Sequence, residues 1–532
     1  MTAIITNKHR ILSAELIKDS YNSSDTTVNR YLFIGKSLPW ADETAPDAPV
    51  DALQAENDHW VDMIALKKVI ETDAVHAIPR QNWTTNTHVF AEYDPADGSL
   101  FRRPTASDLS DGVANGYVAG RCFAVTSDLN VYLCISNGGS SPASPNKSVT
   151  EPTGTGTSIF ETADGYKWKY MFTIKPADSE KFLSPDWMPV RTLTADDGSF
   201  QWDVQAAATD GEIFNLAVTS GGSGYTAVAS GSVVSSTGTT IVLDASASGT
   251  DDIYNGASVY ITGPTGGGQV RVITDYVGST KTATVAAWGT NPDASDTYEV
   301  LPTITIEGNG SGAVGKATVS SGAITKIDIT NGGSDYRVAT ATISGAGGTG
   351  ATADVRISPK GGLGADAVRQ MGASYLMINT TLDNDQSDFP PANDYRKIGM
   401  VANVYNYGTT TIATASTLSA LKGVTISGGS GTFQEDETLT GSTSGATAKV
   451  VYDNISGGAG TIFYVQNLDT EFTAFQNGEV VTGGSSGASG TISALVNPEV
   501  EPFSGEIFFI DQRRIVSRDD EQNENITLIL EF

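Results

Sequence analysis

The sequence predicts a mainly β chain: a β-sandwich body with few short helices, interrupted by two Gly/Ser/Thr-rich β-repeat insertion modules. Three observations carry that reading. The 532 residues include 57 Gly and 20 Pro with only 17% charged residues, which suits turn-rich strands better than helices or disorder. Apolar and polar residues alternate at period two in several short stretches. Two long tracts repeat internally.

The clearest alternation is Asp164-Gly165-Tyr166-Lys167-Trp168-Lys169-Tyr170-Met171-Phe172. A strand here places four aromatic rings on one face and two lysines on the other, after a turn at Asp164-Gly165. So much ring surface belongs in a core or in a permanent subunit contact.

From the N-terminus, Ser13 to Ile17 suggests a short helix with Ser13 near its N-cap, and Tyr31 to Gly35 a buried strand. Asp47 to Asp51 opens a second helix running through Trp60, Ile64 and Leu66, with Pro49 in its first turn. Strands are then expected over 88–93, 116–126, 130–136 and the aromatic stretch, and later over 375–379, 504–511 and 525–532. Composition divides the chain into a body of 1–207, 361–408 and 497–532, with modules at 208–360 and 409–496. The first module holds one repeat copy from Ile324 to Val355. Its other copy is split into 213–225 and 301–313 around a nested insert of about 227–300. In the second module Phe433 recurs as Phe475 and Glu437 as Glu479, each 42 residues on (475 − 433 and 479 − 437).

The charge balance, 32 Lys+Arg against 61 Asp+Glu for a net of −29, argues against sequence-independent nucleic-acid binding, which needs a positive surface. No apolar run has the length of a membrane span, and the N-terminus lacks a signal peptide's apolar core. Cys122 and Cys134 flank a hairpin turn at 127–130 and could face each other; a reducing compartment favours two buried thiols over a disulfide.

No motif points firmly to catalysis, and no cofactor or metal is expected. Gly310 to Ala317 imitates a phosphate-binding loop, but Ala317 stands where a hydroxyl must hold magnesium and no helix follows. His9, His59, His76 and His88 lack metal-ligand spacing. Glu437 and Glu479 read as turn carboxylates, and Asp519, Asp520, Glu521 and Glu524 as a solvated loop. Trp40, Trp83, Tyr166, Trp168, Tyr170, Phe172, Tyr395 and Phe532 are the candidates for core or interface anchors. Asp164, Lys167 and Lys169 are expected to do no chemistry.

Five short stretches, taken in order, resemble the gene product eight family of baseplate wedge subunits of T-even-type contractile-tail bacteriophages. They are Phe33-Ile34-Gly35-Lys36-Ser37-Leu38-Pro39-Trp40, Ala77-Ile78-Pro79-Arg80-Gln81-Asn82-Trp83, the aromatic stretch, Asn393-Asp394-Tyr395-Arg396-Lys397-Ile398-Gly399, and 505–510 followed by 525–532. The resemblance implies a non-enzymatic virion protein of the tail baseplate that forms a homodimer, docks onto other wedge subunits and is assembled in the infected host cytoplasm. The two modules look like those of marine and cyanobacterial phage tail proteins, where a host-surface glycan is a further possible partner. The alternative function is a tail-associated protein that binds or depolymerises host-surface polysaccharide; an adhesin is disfavoured by the missing export signal.

Overall fold

The computed structural model describes residues 4–21, 27–96, 122–138, 146–382, 394–518 and 522–532. It is mainly β with few short helices. The chain divides into two compact units, one of residues 1–11 and 77–374, the other of 12–76 and 375–532.

In the first unit, the strands Phe123–Val125, Asn130–Asn137, Tyr166–Thr173 and Phe160–Glu161 form an antiparallel sheet in that order. Gly165 takes φ 84° at the turn that launches the aromatic strand, a value glycine adopts without strain. Tyr166, Trp168 and Tyr170 face one core with Phe90, Tyr132 and Val204. Phe172 does not join them. The register slips between the Tyr132–Tyr170 and Val131–Phe172 pairs, and this bulge sends Met171 and Phe172 to a second core with Val131 and Ile174. Lys169 is likewise not on an open face but buried at 5% exposure, its ammonium donating to the Thr157 carbonyl.

The rest of this unit is built by exchange. The strand Ile213–Ser223 pairs with Thr349–Ile357, Ser311–Ser320 with Ala323–Ser334, and Thr303–Gly308 with Ala339–Ser344. Each ladder therefore joins a strand of one repeat copy to a strand of the other. The registers match: Thr349 faces Ser223 and Ala351 faces Gly221, as Ser311 faces Ser334 and Ala313 faces Gly332. Tyr225 and Tyr336, equivalent residues, are both buried, and each ring lies where a side chain on Gly348 or Gly310 would have to go. A seven-stranded sheet spans Ala229–Ser232 to Thr297–Leu301 within the split copy. It shares one continuous core with its host, from Ile213 and Leu216 through Ile241, Val259 and Tyr276 to Ile324 and Tyr336.

In the second unit, Thr417–Ser419, Met63–Lys68, Arg30–Gly35, Asp394–Ala402 and Glu506–Ser517 form an antiparallel sheet in that order. Leu32 and Ile34 face one core while Tyr31 and Phe33 face another, the alternation of a strand buried on both sides. The first core is shared with the pair Tyr375–Leu382 and Glu524–Glu531, whose Leu376, Ile378, Leu528 and Leu530 complete a sandwich. The strands from Lys422–Ser430 to Ser489–Val496 close into a six-stranded barrel with its own core. Here too the ladders are symmetric. Leu439–Gly483 and Gly441–Val481 flank Thr440–Thr482, and Lys422–Tyr464 and Ile426–Gly460 flank Val424–Ile462.

Several expectations are corrected. The first helix runs Asn7–Asp19, so Ser13 is mid-helix; Ile11 and Ala14 are its buried residues, a helical spacing that extends it in both directions. The second helix is only Leu53–Val61, because Ile64 and Leu66 lie in the strand Met63–Lys68, whose unbroken apolar run serves two cores. Residues 88–93 form no strand, only an isolated β-bridge at Val89, with Tyr93 N–H donating to the Cys134 carbonyl and Ser148 N–H to that of His88. The expected strand 116–126 is described only from Cys122, and is a strand over Phe123–Val125. Glu524 is no solvated loop acid but the partner of Arg518, at 2.6 Å with side-chain exposures of 9% and 1%; Asp519, Asp520 and Glu521 lie outside the described residues. Cys122 and Cys134, as expected, are buried thiols not joined in a disulfide.

Candidate functional site

The expected anchors gather in two places. Around the aromatic strand, Trp168 stacks on Tyr166 with ring centroids 5.3 Å apart and meets Phe90 edge-on at 5.3 Å. Tyr132 makes edge contacts with Trp168 and Tyr170. These are the offset and edge-to-face geometries that ring quadrupoles favour. Two of the polar ends find local partners: Tyr166 Oη donates to the Asn146 carbonyl at 2.5 Å, and Tyr170 Oη shares a 2.7 Å bond with Thr173 Oγ1, while Trp168 Nε1 is buried with no hydrogen-bond acceptor among the described residues. Half-buried Trp83 packs against this core and donates from Nε1 to Ser148 Oγ at 2.9 Å.

Ser148 in turn donates to Asp164 Oδ2, which also accepts the N–H groups of Val149 and Thr150 at 2.7 and 3.0 Å. Burial pushes the Asp164 carboxyl up, but Thr162 Oγ1 and these backbone donors outweigh it and hold it below the ordinary carboxylate range. An acceptor so saturated orders its loop and is a poor base.

A cavity of about 420 Å³ opens beside this strand, lined by Lys167, Lys169, Glu161, Glu212 and Asp328 among others. Lys167 pairs with Asp328 at 2.5 Å, and Lys326 with Glu161 at 2.5 Å and Asp328 at 3.2 Å. Burial pulls the Lys169 ammonium down and pushes the Glu212 carboxyl up. The lysines each have a carboxylate or carbonyl partner, and the arrangement holds strands together.

In the second unit, Trp40 is half-buried and donates from Nε1 to the Arg513 carbonyl at 2.8 Å, with Lys36 Nζ 4.5 Å from its ring centre. Glu43 accepts from Trp40 N–H at 2.9 Å and from Arg396 Nε at 2.7 Å, while Arg396 also donates to the Ser37 carbonyl. Lys397 pairs with Asp62 at 2.6 Å. The stretches about Trp40 and Tyr395, some 355 residues apart (395 − 40), thus meet in one knot. Tyr395 is buried in the sandwich core, against which Phe532 is partly buried.

The phosphate-loop imitation lies in the strand Ser311–Ser320, paired along its length, and Lys316 forms an ion pair with Glu299. His59 and His76 are buried, and burial lowers His59 to about 4. Among the described residues no His, Cys, Asp and Glu cluster could hold a metal.

Sequence reasoning missed how the barrel copies grip each other. Glu437 accepts from Gln434 N–H in its own turn at 2.7 Å, then from Ser485 N–H, Ser486 N–H and Ser486 Oγ of the other copy at 3.0, 2.9 and 2.8 Å. Glu479 does the same with Gln476 N–H, Thr443 N–H, Ser444 N–H and Ser444 Oγ at 2.6, 2.9, 2.8 and 2.8 Å. Burial raises both carboxyls, but the donors prevail and hold them low. The signal was present, since Ser444 and Ser486 recur with the glutamates.

The family model described as "Bacteriophage T4, Gp8" matches residues 3–192. The "Baseplate wedge protein gp8" of Enterobacteria phage T4 is 27% identical over 192 residues, covering 33% of this chain and 56% of that relative. The chain thus spans little more than half the length of the relative it matches. The family match holds Trp40, Trp83 and the aromatic strand and ends before the exchanged ladders begin at Ile213, so the N-terminal part of this chain is similar to a phage baseplate wedge protein.

Proposed function

We propose that the chain is a structural subunit of the baseplate wedge of a contractile phage tail, assembled in the infected host cytoplasm as a homodimer that docks onto other wedge proteins and serves host attachment. The family match over residues 3–192 carries this reading. The site chemistry supports it, because the charged groups around both tryptophan knots are spent on ion pairs and backbone donors rather than held for a substrate. On this reading the gene-product-eight body bears the two repeat modules as outward additions, as in marine or cyanobacterial phages.

Gel filtration with light scattering, followed by capture of the other wedge proteins of the same phage, tests it. A dimer that binds them is expected; a strict monomer that binds none refutes the reading. Polysaccharide binding by the first module gains no support from its surface, whereas the second exposes the Phe472 ring at 54%. The exposed large apolar residues described between 208 and 360 are Val228, Val234, Ile253, Val272, Val277 and Val338, with no ring on which a sugar could stack. Glycan-array binding or release of reducing sugar would revive that alternative.

A further inference from the structure

The strand Glu506–Ser517 ends its sheet and pairs along one side only, with Asp394–Ala402. None of its 12 residues is buried, whereas 8 of 9 are in the strand beside it. The C-terminal half of this edge is already occupied: Trp40 takes the Arg513 carbonyl at 2.8 Å, and the Ile515 N–H donates to Glu43. Among the described residues, the half from Glu506 to Asp511 is left open. It borders a groove of about 600 Å³ whose other wall is Pro49 to Leu53 with Glu56 and His59. Val50, Leu53 and Phe508 stand 63%, 76% and 40% exposed there.

An open edge presents a row of backbone donors and acceptors that natural sheets normally blunt, and adding a strand is the standard way to satisfy it. Charge selects the occupant. Asp51 and Glu56 line the groove and Glu506 and Asp511 bracket the open backbone; Asp511 is paired with Arg513 at 2.7 Å and the Arg30 guanidinium lies 5.2 Å from the Phe508 ring centre, while no lysine or arginine lines the groove itself. A second copy of this chain would bring the same acids face to face, in a protein of net charge −29. We propose that the open edge at Glu506 to Asp511 accepts an extended segment of a partner protein in which apolar residues alternate with lysine or arginine. Its apolar side chains, at period two, cover Val50, Leu53 and Phe508, and its cations meet Asp51 and Glu56.

The test uses the full chain and three labelled octapeptides: alternating Val and Lys, alternating Val and Glu, and the Val/Lys peptide with a central Pro. Binding is followed by fluorescence anisotropy at 0.15 M salt, and hydrogen exchange is mapped with each peptide. The Val/Lys peptide should bind at least tenfold more tightly than the other two and slow exchange across 506–511. The double variant Asp51→Lys, Glu56→Lys should lose at least tenfold; Asp51→Lys alone, at an exposed position, should weaken binding with thermal unfolding unchanged, and Leu53→Asp should weaken it separately. Equal binding of the proline peptide would reduce the effect to bare charge attraction and overturn the proposal. Unprotected amides at 506–511 would overturn it too, as would protection that rises with protein concentration alone, which would assign the edge to a second copy.

Discussion

Replacing Glu437 by glutamine tests whether the two halves of the barrel are clasped by carboxylates. The best amide orientation puts its nitrogen at Oε1, against the Gln434 N–H at 2.7 Å, while the Ser486 hydroxyl turns to accept. One charge-assisted backbone bond is lost, about 1.5–3 kcal/mol, and the bonds from Ser485 and Ser486 N–H survive as weaker neutral ones. The expected cost is about 2.5–5 kcal/mol of local stability, or roughly 10²–10⁴-fold faster amide exchange. No tryptophan lies between 422 and 496, so exchange mapped by mass spectrometry is the right assay, with the peptides covering 434–446 and 476–488 as the readout. The symmetry adds a stricter demand: Glu479→Gln must loosen the barrel by the same factor, since its donors are equivalent. Acid should act likewise. Both carboxyls lie below their unfolded value of about 4.3, so their contribution is full above that pH and is lost as pH falls through the lower, folded value. Each glutamine variant should lack its own share of this acid loosening. If either variant exchanges at the wild-type rate, or if one is tolerated and the other is not, the clasp is not what joins the copies.

Other expectations follow the same logic. Glu524→Ala removes the 2.6 Å carboxylate partner of the buried Arg518 guanidinium and should cost up to about 3–5 kcal/mol by denaturant unfolding, whereas Arg518→Met with Glu524→Leu should recover most of it. Gly348→Ala drives a methyl into the Tyr225 ring and Gly310→Ala does the same to Tyr336; each should destabilise the first unit by about 1–3 kcal/mol or more, and by similar amounts, in thermal melts. Removing residues 422–496 leaves neighbouring cut ends, since Gly423 faces Val496, but takes Val451 and the partly buried Tyr452, Phe463 and Val465 from the sandwich core, so the five-stranded sheet should keep a cooperative transition at a lower midpoint. A deletion starting at Thr409 should not, since it also takes Leu418 and Leu421 out of the cores and the strand Thr417–Ser419 off the sheet. Calorimetry of the two deletions separates these outcomes.

What the sequence revealed follows from which signals are local. Alternation at Tyr166 to Tyr170 announced a strand because one side of it is packed with rings, yet nothing local marked the bulge that turns Phe172 away, since a bulge is decided by the partner strand. Met63 to Leu66 read as helix for a related reason: a strand buried on both faces has no alternation to show. The Trp40 and Tyr395 stretches were each visible, but their meeting through Glu43 and Arg396 is a tertiary fact. The open edge at Glu506 to Asp511 was equally hidden, because a strand's place in sheet order leaves no mark on its own residues.

The repeats show the limit most sharply. Recurrence of Phe433 and Glu437 at Phe475 and Glu479 establishes two copies, and two copies can fold side by side or through each other. In both modules they fold through each other. The three long ladders of the first are all between copies, and each barrel glutamate reaches the other copy's serines. Such exchange makes a half-module useless alone, since a single copy would leave strand edges and a carboxylate unsatisfied. It is also why a chain can carry a seven-stranded sheet inside one copy: the second half of the split copy is held in place by the other copy's strands rather than by its own continuity.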